Sequence, residues 1–165
     1  MLNLYTMDAY IGLGSNLDDP FTQIARAMHE LSSLPHSALH AVSSLYQSKP
    51  MGPPDQPPYA NAVAWLKTRL HDNDLLHALQ ALEKSHGRVR KQHWGPRTLD
   101  LDILVYGNKQ TNSEELTIPH PGIKYREFVI YPLHEINKNL MIPGLGATHR
   151  IQKNCYANGL IKLHE

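Results

Sequence analysis

The sequence predicts one domain of mixed helix and strand, and three observations carry that expectation. Residues 59 to 70 and 98 to 105 alternate with a period of two, which puts successive side chains on opposite faces of a strand. Residues 21 to 31 and 75 to 82 repeat apolar side chains at helical spacing, so each segment has an apolar stripe. The length, 165 residues, suits a single domain over 1–165 with its own core. Patterning runs from about 8 to 146, and 147 to 165 is expected to be a short terminal helix or a partly ordered tail.

A formal net charge of +1 argues against a globally basic nucleic-acid binder and against a membrane-surface protein. The one cysteine, Cys155, excludes an internal disulfide framework and fits a reducing compartment. The first seven residues lack a basic segment followed by an apolar run, so no signal peptide is expected, and Met7 is an alternative start. No apolar run approaches the roughly 18 residues that span a bilayer. A cytoplasmic protein without membrane or nucleic-acid partners is expected.

In chain order, residues 8 to 13 read as a short buried strand ending at Gly14-Ser15-Asn16. That turn is either a plain tight turn or a place where backbone N–H groups hold a phosphate, without the lysine and glycine spacing of a P-loop. Asp18, Asp19 and Pro20 start a helix, with Phe21, Ile24, Ala25, Met28 and Leu31 facing the core. Residues 39 to 48 read as a second strand. Residues 49 to 58 hold Pro50, Pro53, Pro54, Pro57 and Pro58 and form a semi-rigid surface loop, either a connector or a binding lid. A third strand follows, with Tyr59, Asn61, Val63 and Trp65 on one face and Ala60, Ala62, Ala64 and Leu66 on the other. The Asn61 carboxamide can both donate to and accept from a heterocycle edge, and Tyr59 could stack on the ring. Asp72 to Asp74 cap a second helix with a stripe of Leu75, Leu76, Leu79 and Leu82, and Gly87 ends it. Glu83, near that end, is poorly placed for the helix dipole and reads first as a salt-bridge partner.

The chemistry concentrates in residues 87 to 105. Thr98 to Val105 read as a strand with Asp100 and Asp102 on one face, Cα atoms roughly 6.5 to 7 Å apart. Such carboxylates repel each other unless a cation lies between them, and hard oxygen ligands suit magnesium. Arg88, Arg90, Lys91 and Arg97 precede them, with His93 and Trp94 among the charges. A solvated strand face after a soluble basic loop would account for each part alone. A polyphosphate shared between metal and guanidinium groups accounts for their conjunction, including the rigid Gly-Pro-Arg turn. The strand turns back near Gly107-Asn108. His120, pinned between Pro119 and Pro121, is either a capped loop histidine or a positioned contact.

The stretch His93-Trp94-Gly95-Pro96-Arg97-Thr98-Leu99-Asp100-Leu101-Asp102-Ile103-Leu104 resembles the signature of the 6-hydroxymethyl-7,8-dihydropterin pyrophosphokinase family. Gly14-Ser15-Asn16, Tyr-x-Asn after the proline-rich loop and Thr-x-Pro-His extend the resemblance over roughly residues 8 to 146. The pattern departs at His93, Glu115, Pro121 and a loop one residue shorter before Trp94. The resemblance implies an α+β, ferredoxin-like sandwich with a mainly antiparallel sheet and flexible loops over the active site. It also implies diphosphate transfer from ATP to 6-hydroxymethyl-7,8-dihydropterin, giving AMP and the pterin diphosphate, in folate biosynthesis. By that resemblance Ser48, Met51, Tyr59, Asn61 and Phe128 meet the pterin, with Tyr59 and Phe128 on its two faces. Glu83, Arg90, Trp94, Thr117, His120 and Arg126 meet the nucleotide, Arg88 and Arg97 act in catalysis, and Asp100 and Asp102 hold two Mg2+ ions. A monomer is expected. Two other classes use parts of the same pattern: a two-metal nucleotidyltransferase or cyclase, and a single-stranded nucleic-acid module with Trp94 as a stacking platform. Neither accounts for Tyr59, Asn61 and Phe128 together.

Overall fold

The computed structural model describes residues 1–87 and 98–163. Its main sheet is antiparallel throughout and is built from a strand, a helix, three strands, a second helix and a further strand, with one short strand added from the C-terminal end. β1 (Met7–Ser15) is central, between β4 (Tyr59–Thr68) and β5 (Asp100–Tyr106). β4 in turn pairs with β2 (Ser37–Val42) and β3 (Tyr46–Ser48), which follow one another along its outer edge. Helices α1 (Pro20–Ser32) and α2 (Asp72–Ser85) cover one face, as the ferredoxin-like sandwich requires.

The core on that face follows from strand alternation. Ala9, Ile11 and Leu13 of β1, Ala60, Ala62, Ala64 and Leu66 of β4, and Leu101 and Ile103 of β5 point to the helices. Ile24, Ala27 and Leu31 of α1 and Leu75 and Leu79 of α2 meet them. The expected α1 stripe is therefore narrower and turned. Phe21 and Ala25 are exposed, and Ala27 packs instead, because positions 24, 27 and 31 are the ones aligned with a flat sheet. Neither helix has a side-chain N-cap as expected. α1 begins at Pro20 after Asp19 in a left-handed conformation, and His71 rather than an aspartate precedes α2. Asp72 instead accepts from Asn73 N–H and pairs with Lys109 at 2.6 Å. Gly87, with φ 77°, follows the end of α2 as a left-handed residue.

The opposite face is covered at one end by α3 (Glu127–Ile136) and by α4 (Thr148–Lys153). The nearly continuous apolar run around Pro132 conceals α3 in the sequence, because it has no polar face to set a helical period. Val129, Ile130 and Leu133 pack on Tyr10, Val63, Leu104 and Val105. Leu104 and Val105 both reach this side because β5 bulges there: Tyr10 pairs with Val105 and Ile11 with Ile103, leaving Leu104 unpaired. The expected strand over 39–48 is two strands. Ser43 interrupts it, its N–H donating to Val63 O while its hydroxyl accepts from Val63 N–H. The C-terminal segment carries α4 and then β10 (Ile161–Lys162), which adds a strand to β3. The short hairpins β6 (Thr111–Asn112) with β7 (Thr117–Ile118), and β8 (Met141–Ile142) with β9 (Gly146–Ala147), complete the order. No described helix is long and apolar enough to cross a membrane.

Candidate active site

A cleft opens on the α3 side, where the end of β1 meets the starts of β4 and β5. Its floor is backbone. Gly12 and Gly14 are the β1 residues on this face, and Gly14 pairs with Asn61 on one side and Asp100 on the other. A Cβ on Gly14 would lie 3.7 Å from both Asn61 Oδ1 and Tyr59 Cδ1. It would fit, but it would stand in the space these groups enclose. A Cβ on Gly12 would press on Leu104 Cδ2 at 3.3 Å, so the bulged leucine closes the floor at that end.

The wall formed by β3 and β4 carries Ser48, Tyr59 and Asn61, and the loop between them adds Met51. Asn61 is buried, and its amide nitrogen donates to Ser48 Oγ at 2.8 Å and lies 3.3 Å from Tyr46 O and 3.4 Å from Tyr59 O. With the nitrogen held on that side, the carboxamide oxygen is left over Gly14 as an acceptor facing the floor. Asn16 secures the proline-rich loop above: its amide donates to Gln56 Oε1 at 3.1 Å and Pro57 O at 3.0 Å, and Gln56 donates to Met51 O. The Gly14-Ser15-Asn16 stretch is therefore not a phosphate-holding turn. Gly14 and Ser15 are ladder residues of β1, and Asn16 is a latch for the loop that brings Met51 to the cleft.

The facing wall carries Asp100 and Asp102 of β5, on one face as alternation demands, with His120 beside them. His120 N–H donates to Leu104 O, which fixes this loop along β5. Gly122 N–H donates to His120 Nδ1 at 2.9 Å, so the neutral ring keeps its proton on Nε2, 3.9 Å from Asp102 Oδ2. That spacing is too long for a hydrogen bond. Burial lowers the His120 pKa to about 4, helped by the Arg126 charge and opposed by Asp100. The ring is thus neutral at pH 7, with an N–H directed towards the carboxylates. Arg126 and Phe128, around the start of α3, complete the rim, the guanidinium 6.0 Å from the Phe128 ring centre. Arg126 packs across Gly122, where a Cβ would come within 2.6 Å of its Nε.

Two expected nucleotide contacts are not among the residues that line the cleft. Glu83 is buried on the α2 side of the sheet and accepts from Leu101 N–H at 2.8 Å, bracing β5 behind the aspartates. Thr117 donates its hydroxyl to Asn112 Oδ1. Arg88, Arg90, Trp94 and Arg97 lie outside the described residues. Lys49 lines the mouth as a cation that the sequence reading passed over, although it stands between Ser48 and Pro50. Gly12 and Leu104 were also missed.

Could this cleft hold magnesium? Among the described residues no cluster of three or more His, Cys, Asp or Glu side chains could hold a metal ion. Two carboxylates on one face, the Asp102 side chain 39% exposed, nonetheless fit a magnesium ion that takes its other ligands from phosphate and water.

The family model described as 7,8-dihydro-6-hydroxymethylpterin-pyrophosphokinase matches residues 10–138. The chain is 48% identical over 156 residues to a Haemophilus influenzae protein named 2-amino-4-hydroxy-6-hydroxymethyldihydropteridine pyrophosphokinase, covering 94% of this chain and 98% of that one. A Pseudomonas aeruginosa protein of the same name is 49% identical over 134 residues, 81% of this chain and 83% of that one. Among solved structures, wild-type Plasmodium falciparum HPPK-DHPS superposes with a TM-score of 0.68 at 13% identity, a likeness of fold. That match covers 90% of this chain and 41% of the longer one.

Proposed function

The chain belongs to the 7,8-dihydro-6-hydroxymethylpterin-pyrophosphokinase family, and we propose that the glycine-floored cleft is where it performs pyrophosphoryl transfer from ATP to 6-hydroxymethyl-7,8-dihydropterin, in folate biosynthesis. One observation carries this reading: Tyr59, Asn61 and Phe128 line the same cleft as Asp100 and Asp102, the two sets meeting across Gly12 and Gly14 of β1, which present no side chain to it.

The pterin lies between Tyr59 and Phe128, with Asn61 Oδ1 accepting from a ring N–H and Ser48 holding the carboxamide in that orientation. Its hydroxymethyl group then points along the floor towards β5. ATP enters from the side of His120 and Arg126. The hydroxymethyl oxygen forms a bond to the β-phosphorus and gives up its O–H proton to solvent, while the bond from the β-phosphorus to the α,β-bridging oxygen breaks and AMP departs with the electron pair. Arg88 and Arg97, aided by Arg90, offset the charge that builds on the phosphates. Arg126 and neutral His120 bind phosphate oxygens through N–H groups, and Trp94 closes the site against water. Positioning and fixed charge do most of the work in such transfers. Asp100 and Asp102 are the residues that would hold two magnesium ions, whose chemistry is to neutralise and orient the phosphate oxygens. Glu83 and Thr117, expected on the nucleotide side, lie outside the described lining of the cleft, and Glu83 braces β5 behind the aspartates. In this reading 1–165 is one catalytic unit, a cytoplasmic monomer without nucleic-acid or membrane partners.

Phosphorus NMR of the protein with magnesium, ATP and the pterin tests the reading. AMP and pterin diphosphate in equal amounts are expected. ADP with a pterin monophosphate would make it an ordinary kinase, and unchanged ATP with folded protein would sink the enzyme reading.

A further inference from the structure

One carboxylate has no part in the chemistry above, yet it bonds together two of the elements that form the cleft. Glu135 lies in the last turn of α3 and reaches the chain that enters β3. Its Oε2 accepts from both the N–H and the hydroxyl of Ser44 at 2.9 Å. Its Oε1 accepts from the Tyr46 hydroxyl at 2.5 Å, with Lys162 of β10 adding its charge at 3.7 Å. Tyr46 also belongs to the cleft wall through its backbone, because its carbonyl faces the Asn61 amide nitrogen at 3.3 Å.

The two elements bonded here carry residues that face each other across the cleft. Tyr46 and Ser48 are two apart in β3, so their side chains leave on one face. On α3, Glu135 follows Phe128 by seven residues, close to two turns, so these side chains also leave on one face. Their positions differ by about 10 Å along the axis, from about 1.5 Å per residue. The Glu135–Tyr46 contact and the opening between Phe128 and Ser48 are therefore the closed and open ends of one jaw. Val129, Ile130 and Leu133 hold α3 down on the sheet, but apolar packing is non-directional and leaves a helix free to slide or roll. Three donors converging on one carboxylate supply the missing direction.

We propose that Glu135, bonded by Tyr46 and Ser44, is a positioning residue for the pterin side of the cleft: it sets how far Phe128 stands from the wall formed by β3 and β4. The proposal rests on the reading of Tyr59, Asn61 and Phe128 as the pterin site. It assigns Glu135 no contact with substrate.

The test compares Glu135→Ala, Tyr46→Phe, Phe128→Leu and the double variant Phe128→Leu/Glu135→Ala with the wild type. Fluorescence titration measures affinity for 6-hydroxymethyl-7,8-dihydropterin, and calorimetry measures affinity for magnesium with a non-hydrolysable ATP analogue. Glu135→Ala is expected to weaken the pterin roughly 5- to 30-fold. Tyr46→Phe keeps both Ser44 bonds and is expected to weaken it roughly 3- to 10-fold. Affinity for the nucleotide analogue should change by about twofold at most, because Asp100 and Asp102 lie on β5 and His120 is bonded to it. In the Phe128→Leu background, Glu135→Ala should weaken the pterin by no more than about twofold, since the ring it positions is already gone. A carboxylate with a merely structural role would act equally in both backgrounds. Ile24→Val, under α1 on the other face of the sheet, controls for lost stability: it should lower the thermal midpoint and leave pterin affinity within about twofold.

Unchanged pterin affinity in folded Glu135→Ala overturns the proposal. So does an equal loss in the wild-type and Phe128→Leu backgrounds, a loss as large in Ile24→Val, or pterin and nucleotide affinities that fall together. If Glu135→Ala does not fold, Tyr46→Phe decides by the same criteria in both backgrounds, because it removes a single oxygen. A wild type that fails to bind the pterin, or a Phe128→Leu variant that binds it as well as the wild type, overturns the reading of the site itself. Normal wild-type binding with unaffected Glu135 and Tyr46 variants overturns the positioning role alone.

Discussion

Replacing Asn61 by aspartate changes one atom pair and almost no volume, so it isolates the polar geometry at the base of the cleft. The amide nitrogen meets three oxygens, Ser48 Oγ at 2.8 Å, Tyr46 O at 3.3 Å and Tyr59 O at 3.4 Å. A carboxylate oxygen there faces three acceptors. Ser48 can rotate its hydroxyl to donate, but the two backbone carbonyls cannot. Leaving two buried backbone acceptors facing an ionised oxygen costs about 2–4 kcal/mol, from roughly 1–2 kcal/mol for each at these long contact distances. Protonation supplies a donor again, so folding favours the neutral carboxyl and raises its pKa. At 1.36 kcal/mol per unit, that cost corresponds to a rise of roughly 1.5 to 3 units above the ordinary aspartate value near 3.9. Between those two pKa values the folded state binds more protons than the unfolded one, so the stability of Asn61→Asp falls as pH rises. Urea unfolding of both proteins at pH 5 and pH 8 measures this. The deficit should be about 2–4 kcal/mol at pH 8 and at least a third smaller at pH 5. A deficit independent of pH, or wild-type stability at pH 8, would mean that the amide nitrogen is not directed at Ser48 and Tyr46. The orientation of Oδ1 over Gly14 would fall with it.

Asp100→Asn and Asp102→Asn should each abolish turnover and the magnesium-dependent part of ATP binding by calorimetry; near-normal activity in either removes the metal assignment. Arg97→Ala should lower kcat more than pterin affinity, and the opposite pattern in steady-state and binding data would make Arg97 a binding residue. His120, lowered to about 4 by burial and by Arg126, should show no imidazole titration in NMR between pH 5 and 8. Because its folded pKa lies below the unfolded value near 6.5, its contribution is full above that value and declines as pH falls towards about 4. Glu135→Gln should cost about 1–2 kcal/mol at pH 7, the scale of hydrogen bonds to a charged group. Burial pushes the Glu135 carboxyl up, but hydrogen bonds from Tyr46 and Ser44 and the charge of Lys162 hold it below the ordinary value. Its stabilisation is therefore present above about pH 4.3 and lost as pH falls through the folded pKa, which acid-unfolding curves of the two proteins compare.

What was legible in the sequence is what a period of two or a short spacing encodes. Asp100 and Asp102 share a face because nothing in β5 interrupts alternation before Leu104. The two faces of β4 are plain because Ala60, Ala62 and Ala64, followed by Leu66, alternate with Tyr59, Asn61, Val63 and Trp65. Where a long-range contact decides, the sequence carried little. The amide of Asn16 bonds groups some forty residues away, so its local pattern suggested a turn. Ser43 broke a strand that composition left whole, through hydrogen bonds with Val63. Phe21 fits a helical stripe on paper, yet the arc that meets the sheet carries Ile24, Ala27 and Leu31, with Met28 partly buried beside them. Phe128, Arg126 and Ser48 entered through family resemblance alone. The structure brings Arg126 and Phe128 to the cleft at the start of a helix that hydrophobic periodicity does not reveal, and Ser48 on the short edge strand β3.

The floor explains why one small sheet can serve both as core and as site. β1, like β4, is bonded on both sides, so its backbone resists shifting. Its odd-numbered residues 9, 11 and 13 are buried under the helices, while 12 and 14 present only backbone to the cleft. A ligand therefore rests on a surface that cannot repack, and its contacts come from neighbouring strands in fixed register with that surface. Asn61 and Asp100 both pair with Gly14, so the heterocycle wall and the carboxylate wall are held one strand apart on each side of the same residue. The separation between the group that reads a pterin edge and the group that meets a phosphate is thus set by strand spacing, roughly 4.8 Å per step. Side-chain choice then adjusts chemistry on each wall without altering the distance between them.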